Sequence, residues 1–323
     1  MVRIGIVGAG TMGAVHAAIL RNSVAGATLV AVSDPDIDRA AAVAAGGTVR
    51  VVADAKELIA SAEVDAVVVA SPDDQHHEQV LVCLNAGKPV LCEKPLAPSP
   101  EACRALVERE RSLGRRLVQV GFMRRFDPAY LDIKAIYESG AVGGALILRC
   151  SHRNATAPDF FKAGMAITNA MVHEFDICCW LLGAEIEGVR VDRPRREGTP
   201  ADDPLLATLK MSSGQLVSIE VFMNATYGYD IQTEIIGETG VLVMGAPATT
   251  RNLSRSEPGI RVAADFRIRF EHAYERQLQA WTDAIGSNDP CGASAADGLS
   301  AALAAEAAAR ALQSGEWERV KLA

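Results

Sequence analysis

The apolar positions of this chain first fall into short β-branched runs separated by stretches of helical spacing. Val2-Arg-Ile-Gly-Ile-Val7 has the length and branching of a buried strand, and Ala14 to Leu20 follows with a helical pattern. Ala27 to Ser33 is the next strand, with a helix from Ile37. Asp65 to Ala70, Pro89 to Cys92 and Leu117 to Val120 read as further strands, separated by helices at His76 to Ala86 and, capped by Ser99, at Ser99 to Leu113. Such alternation predicts a doubly wound parallel sheet with helices on its faces. Beyond Pro128, which opens a helix at its first turn, the rhythm changes. A strand at Ala145 to Arg153 precedes an apolar helix from Ile167 to Gly183. Short strands follow at Leu205–Met211, Gln215–Asn224, Asp230–Gly237 and Val241–Gly245, with turns at Ser213-Gly214 and Glu238-Thr-Gly240. They read as a meander with one helix-covered face and one free face. Val217, Ile219 and Val221 alternate with Ser218, Glu220 and Phe222, so one face is apolar, and a large exposed apolar face marks an interface. Phe270, Tyr274, Leu278, Trp281 and Ile285 form a core stripe on a helix from Phe270 to Gly286, and the alanine-rich stretch Ala295 to Leu312 is a packing helix.

A chain of 323 residues, 49% of them hydrophobic, suits two domains, and the change of pattern puts their junction near residue 121, giving 1–120 and 121–323. No run of 18 uncharged apolar residues occurs, and glycines break up the N-terminal apolar stretch, so neither a membrane span nor a signal peptide is expected. Seven cysteines lack CxxC pairs and metal-ligand spacing; they read as reduced structural thiols of a cytoplasmic protein without a metal. The net charge of −8, from 32 basic and 40 acidic residues, argues against a nucleic-acid partner.

The chemistry begins at Gly8-Ala-Gly10-Thr-Met-Gly13, between a strand and a helix. In that context Gly8 permits a tight turn, Gly10 lets the backbone approach a pyrophosphate, and Gly13 lets the helix pack on the strand. The amides of the helix start, at Thr11 and Met12, suit phosphates. Asp34 stands 34 − 13 = 21 residues past the last glycine, where an acid binds a ribose hydroxyl and repels a 2′-phosphate, which predicts NAD over NADP. It could also cap the helix from Ile37. Ser71-Pro72 and Glu93-Lys94-Pro95 end strands on the same rim; Lys94 suits a substrate hydroxyl, or it is a surface lysine, and a cis bond before Pro95 is possible. One of Arg124 and Arg125 is expected to face substrate or cofactor and the other to pair with Asp127. His152 and Asn154 end a strand as hydroxyl partners, although His152 also fits an exposed loop. Tyr227 and Tyr229 either cover a polyol or pack. On the apolar helix, Asn169, His173, Asp176 and Trp180 recur at steps of 4, 3 and 4, a polar stripe that must meet protein or ligand.

The glycine turn, Ser71-Pro-Asp-Asp-Gln-His76-His-Glu78 and Ala86-Gly-Lys-Pro-Val-Leu-Cys-Glu93-Lys94-Pro95-Leu96 together resemble the Gfo/Idh/MocA oxidoreductase family along essentially the whole chain. Gly121-Phe-Met-Arg-Arg-Phe-Asp-Pro-Ala-Tyr130, Ser151-His-Arg-Asn154, His173-Glu-Phe-Asp176 and Tyr227-Gly-Tyr-Asp230 resemble its inositol 2-dehydrogenases. The resemblance implies an N-terminal Rossmann domain and a C-terminal α/β domain with an open, mostly antiparallel sheet. It implies an active site between them, and a homo-oligomer, commonly a tetramer, made through the sheet's free face. It implies NAD bound by Gly8, Gly10, Thr11, Met12, Gly13, Asp34, Ser71, Pro72, His76, Glu93 and Lys94. Arg124, His152, Asn154, Asn169, His173 and Tyr229 would hold a small polyol or sugar, with Lys94, His173 and Asn169 as the catalytic set. Asn169 stands where the family carries Asp; an amide hydrogen-bonds a hydroxyl but holds no charge. The implied reaction is NAD-dependent oxidation of a cyclic polyol, myo-inositol to its 2-keto product. The alternatives are a dehydrogenase of a related sugar or inositol stereoisomer, or a non-catalytic NAD-binding regulator.

Overall fold

The strands of the first sheet are short and apolar on both sides, as a sheet with helices on both faces requires. In chain order its elements are β1 (Val2–Val7), α1 (Thr11–Asn22), β2 (Ala27–Ser33), α2 (Ile37–Ala44), β3 (Arg50–Val52), α3 (Ala55–Ala60), β4 (Ala66–Val69), α4 (His76–Asn85), β5 (Val90–Cys92), α5 (Pro100–Ser112) and β6 (Val118–Val120). The computed structural model describes residues 1–157, 161, 164–194, 203–245 and 262–321. All pairings in this sheet are parallel, in the order β3-β2-β1-β4-β5-β6. This is the doubly wound order that places ligands beyond the carboxyl ends of its strands. Local chemistry sets the helix starts. Asp36 accepts from the Arg39 amide, Asp54 from Lys56 and Ser99 from Ala102. β3 and α3 are additions to the sequence-based expectation.

The described residues divide into two compact units, Met1–Phe126 with His272–Ala302, and Asp127–Glu271 with Leu303–Ala323. In the first unit, Ser23 donates to Glu275 at 2.7 Å, the Ala25 amide donates to Gln279 at 2.7 Å, and Val120 bridges to Ala293.

The second unit contains α6 (Pro128–Glu138), β7 (Ala145–Arg153), a π-helical turn (Ala166–Met171), α7 (Val172–Leu182), β8 (Ile186–Asp192), β9 (Leu205–Met211), β10 (Leu216–Phe222), β11 (Asp230–Gly237) and β12 (Val241–Val243). Parts of α8 (Phe266–Ser287) and α9 (Ala295–Ser314) and the short β13 (Glu318–Arg319) complete it. The sheet runs β12-β11-β7-β10-β9-β8-β13. The expected meander holds for β9 and β10 and for the β11–β12 hairpin, while β8 and β13 are additions to the expectation. It breaks between β10 and β11, because β7 inserts there, parallel to β10 and antiparallel to β11. The inward residues of β10, Val217, Ile219 and Val221, are at most 1% exposed. The other face is mixed rather than apolar: Leu206, Leu216, Val241 and Val243 are exposed beside the ion pairs Arg149–Glu234 and Arg153–Glu220.

The apolar helix expected from Ile167 to Gly183 is π-helical up to Met171 and α-helical beyond, with Gly183 at φ 62° as its left-handed cap. α8 bends at Phe270, whose φ of −116° is not helical. No described helix is long and apolar enough to cross a membrane.

Asp127 was expected to pair with one of the neighbouring arginines. Its carboxylate instead takes a two-pronged grip from Arg269, at 2.7 and 3.2 Å, while Arg125 reaches Asp297 at 3.0 Å. The Asp127 and Arg269 side chains are 4% and 5% exposed. Removing one partner of such a pair strands a buried charge. Asp127→Ala is therefore expected to lower stability by about 3–5 kcal/mol, read as a lower urea midpoint at unchanged slope. A midpoint within error of the parent would show that the pair is dispensable.

Candidate active site

In the first unit the β1–α1 turn is shaped by close backbone approach. Gly8 has φ 95°, and a Cβ there would meet the Ala70 carbonyl and Ser71 amide at 2.5 Å. A Cβ at Gly13 would overlap the Gly8 carbonyl oxygen, whereas one at Gly10 would meet nothing within 4 Å. The turn is thus packed beneath and open above. α1 carries no side-chain cap, so its first amides, at Thr11, Met12 and Gly13, face outward with the positive end of the helix. Asp34 is 7% exposed and does not cap α2; Asp36 does. The Asp34 carboxylate accepts from the Ala9 amide at 2.8 Å and from Asp36 at 2.9 Å, with Arg39 at 3.8 Å. The acid at the end of β2 therefore also braces the glycine turn.

The other predicted residues of this unit lie at the ends of β4 and β5. Ser71 donates to Gln79 at 2.6 Å. His76 is 1% exposed, and its two ring nitrogens face the carbonyls of Ser71 and Pro95 at 3.0 and 2.7 Å. It acts as a strut between the two loops. The Lys94–Pro95 peptide is cis. Lys94 is half-buried rather than a surface lysine. Burial holds its ammonium below the usual lysine pKa and Arg124 adds to that, while the Glu93 and Asp73 carboxylates oppose it. Arg124 is 1% exposed. Glu93 is buried, and its Oε1 lies 2.8 Å from Nε2 of a fully buried His16.

In the second unit, β7 delivers His152 with Asn154 just past its end, α7 delivers His173, and Tyr229 immediately precedes β11. His152 is buried rather than exposed in a loop, and its Nδ1 lies 3.2 Å from Oε1 of Glu174. A carboxylate there favours a proton on Nδ1. The His152 ring centroid is 6.3 Å from that of His173 and 5.8 Å, edge-on, from that of Tyr229. Tyr229 in turn packs on Phe266 and Phe270. Asn154 Oδ1 is buried and has no hydrogen-bond partner among the described residues. Tyr227 does not join this group: it is exposed and its hydroxyl donates to Asp230 at 2.7 Å. Trp180 leaves the expected stripe as well, taking the Lys134 ammonium over its ring at 4.8 Å. Asn169, in the π turn, is half-buried.

Sequence reasoning passed over Glu174 and His16. The signal was an acid, or an imidazole, inside an otherwise apolar helical run: Met171-Val-His-Glu-Phe175 and Ala14-Val-His-Ala-Ala18. Chemically, the first unit offers an anion cradle, a buried carboxylate at the end of β2 and a lysine at the end of β5. The second offers imidazoles, an amide acceptor and an aromatic wall suited to hydroxyl groups.

Comparison with known proteins gives this arrangement a lineage. Residues 2–122 match the Gfo/Idh/MocA oxidoreductase family, NAD-binding Rossmann fold, and residues 130–243 match the family's C-terminal domain. The chain is 49% identical to inositol 2-dehydrogenase 1 of Saccharopolyspora erythraea, covering 100% of this chain and 97% of that protein. It is similar to the crystal structure of myo-inositol dehydrogenase from Lactobacillus casei in complex with NAD(H) and myo-inositol, with a TM-score of 0.96, 33% identity and 100% and 98% of the two chains covered. It is also similar to scyllo-inositol dehydrogenase from the same organism with NAD(H) and scyllo-inositol, with a TM-score of 0.91, 25% identity and 99% of each chain covered. The open space over Gly10, the amino end of α1 without a side-chain cap and the buried Asp34 fit a dinucleotide, and NAD is the cofactor. The chain belongs to the Gfo/Idh/MocA family, as an NAD-dependent oxidoreductase acting on CH–OH groups.

Proposed function

We propose that the chain oxidises a secondary hydroxyl of a cyclic polyol, with myo-inositol as substrate and 2-keto-myo-inositol as product. The observation that carries this reading is the buried His152–Glu174 pair flanked by the rings of His173 and Tyr229, beside the unsatisfied Asn154 Oδ1. A ring bearing many hydroxyls offers a donor to Asn154 Oδ1 and further hydroxyls to the imidazoles, which a mono-alcohol does not. Relatives that carry inositol dehydrogenase names support the same substrate class.

When bound to the glycine turn and Asp34, NAD supplies the acceptor for the hydride that leaves the carbinol carbon. His173 takes the hydroxyl proton, a transfer suited to an imidazole near neutral pH. The Lys94 ammonium stabilises the negative charge that develops on that oxygen. Asn169 hydrogen-bonds a hydroxyl without adding charge. Glu174 favours a proton on His152 Nδ1, and Arg124 and Tyr229 bound the substrate. A second reading, a dehydrogenase of another inositol stereoisomer or a related sugar, is favoured by the neutral Asn169. For assembly, we read the exposed Leu206, Leu216, Val241 and Val243 of the free sheet face as the contact of a homotetramer.

NAD reduction with a panel of inositols and aldoses is expected to be fastest with myo-inositol. His173→Ala should lower kcat by about 10²–10⁴-fold at unchanged NAD affinity, and near-parental turnover would remove His173 from the role of base. kcat/KM should be higher with NAD than with NADP, and Asp34→Ser should narrow the difference; an unaltered preference would mean that Asp34 does not read the ribose. In light scattering, the parent should elute at four times the chain mass and Leu216→Glu as a smaller species. A parent that runs as a monomer refutes the tetramer.

A further inference from the structure

The amino ends of β5 and β6 lie opposite the rim that carries the glycine turn, because every strand of that sheet runs the same way. Pro89 directly precedes β5, and Leu117 directly precedes β6. There the end of α8 and the segment after it enclose a cavity of about 140 Å³, room for a molecule of roughly ten non-hydrogen atoms. All of its lining residues belong to the first unit. Leu117, Trp281, Ile285 and Pro290 give it apolar walls.

Its polar lining is unmatched. Gln119, in β6, lines the cavity and is 2% exposed. The Gln119 Oε1 accepts from the Cys291 thiol at 3.2 Å. Burial raises the pKa of that thiol, so the sulfur keeps its proton and the amide turns its oxygen toward it. Nε2 of the same amide then has no hydrogen-bond partner among the described residues. Gly292, at φ 65°, makes room for it: a Cβ there would meet Nε2 at 3.1 Å and Cδ at 2.9 Å. A buried donor is costly to leave unmatched. Two cations line the same cavity. Arg115 donates to the Gly87 carbonyl, and Arg116 to the carbonyls of Cys291 and Gly292, all at 2.7 Å. These bonds hold the guanidiniums in place without neutralising them, and neither meets a carboxylate among the described residues. Asp283 and Asp289 act on Cys291 from nearby, but neither lines the cavity. In a chain of net charge −8, two unneutralised guanidiniums on one cavity set the sign of what it takes.

We propose that this cavity is a ligand site for a small organic acid, separate from the cofactor turn at the other end of the same sheet. The carboxylate accepts from Gln119 Nε2 and faces the Arg116 charge, and the apolar body lies against Trp281 and Ile285. A carboxylate is the group that takes an amide donor and a guanidinium together. The apolar walls disfavour a bare inorganic anion, and the unneutralised arginines disfavour a neutral ligand. The site is independent of the polyol and of the reaction assigned to the chain.

The test is binding to the full chain, without turnover, followed by saturation-transfer NMR of the ligand and by tryptophan fluorescence, with Trp281→Phe to assign the emission change. Benzoate, cyclohexanecarboxylate and 4-methylpentanoate are the ligands, and benzamide and inorganic phosphate the controls. At least one of the carboxylates is expected to bind saturably, with Kd on the order of 1 mM or tighter, and to be unaffected by saturating NAD. Gln119→Leu and Arg116→Met should each weaken that binding by about tenfold or more. Arg116 also ties down residues 291 and 292, so a third variant leaves those bonds intact: Ala284→Leu, at a half-buried position on the cavity wall, fills the space and should abolish binding in a folded chain. The proposal is overturned if none of the three carboxylates binds saturably, if NAD displaces them, or if Ala284→Leu binds them as the parent does. Benzamide or phosphate binding as tightly as the carboxylates overturns it as well.

Discussion

A polar side chain withdrawn from water must be matched, and in this chain the matches join segments that are far apart in sequence. His16 meets Glu93, His152 meets Glu174, Arg269 grips Asp127, and His76 spans the carbonyls of Ser71 and Pro95. Each pairing is costly to break, because the abandoned group remains buried. The pairings therefore fix which loops lie together at the carboxyl ends of the first sheet and at the ends of β7 and β11. Hydrophobic burial makes the two sheets. These few polar matches decide where the functional side chains stand on them.

How much was legible follows from the range of each signal. The strands of the first sheet could be read because each is a short apolar run between glycine or polar turns, and β1, β2 and the glycine turn fall where the pattern puts them. β3 and α3 escaped because three and six residues, partly exposed, carry too little pattern. In the second unit, alternation identified β9, β10 and β11, but local pattern cannot tell that β7 comes between β10 and β11. Its pairings, parallel with β10 and antiparallel with β11, are both long-range, so no turn residue announces them. The same limit governs the site. Gly8, Gly13 and Asp34 have roles set by neighbours in sequence or by a standard spacing. Glu174 and His16 acquire theirs only from partners 22 and 77 residues away. Tyr227 and Tyr229 look alike in sequence; only the folded chain sends one to an ion-pair cluster and the other to the imidazoles.

The two sheets also show how exposure writes itself into sequence. The first is covered on both sides, so its inner strands are continuous apolar runs with no alternation to betray a face. In the second, one side is covered and the strands alternate. Its open side interleaves leucine and valine with arginine–glutamate pairs. A face of that composition is apolar enough to associate, and polar enough that register matters when it does.

The π-helical turn from Ala166 to Met171 carries a constraint of a different kind. It holds more residues per turn than the α-helix that continues from it, so the side chains before and after it keep their facing only while its length is unchanged. Deleting one residue would let the segment relax into a regular α-helix, and everything on its amino-terminal side would swing by about 100° relative to His173. Asn169 would then face elsewhere with its chemistry intact. The facing of the residues before His173 is therefore set by the number of residues in this turn as well as by their identity.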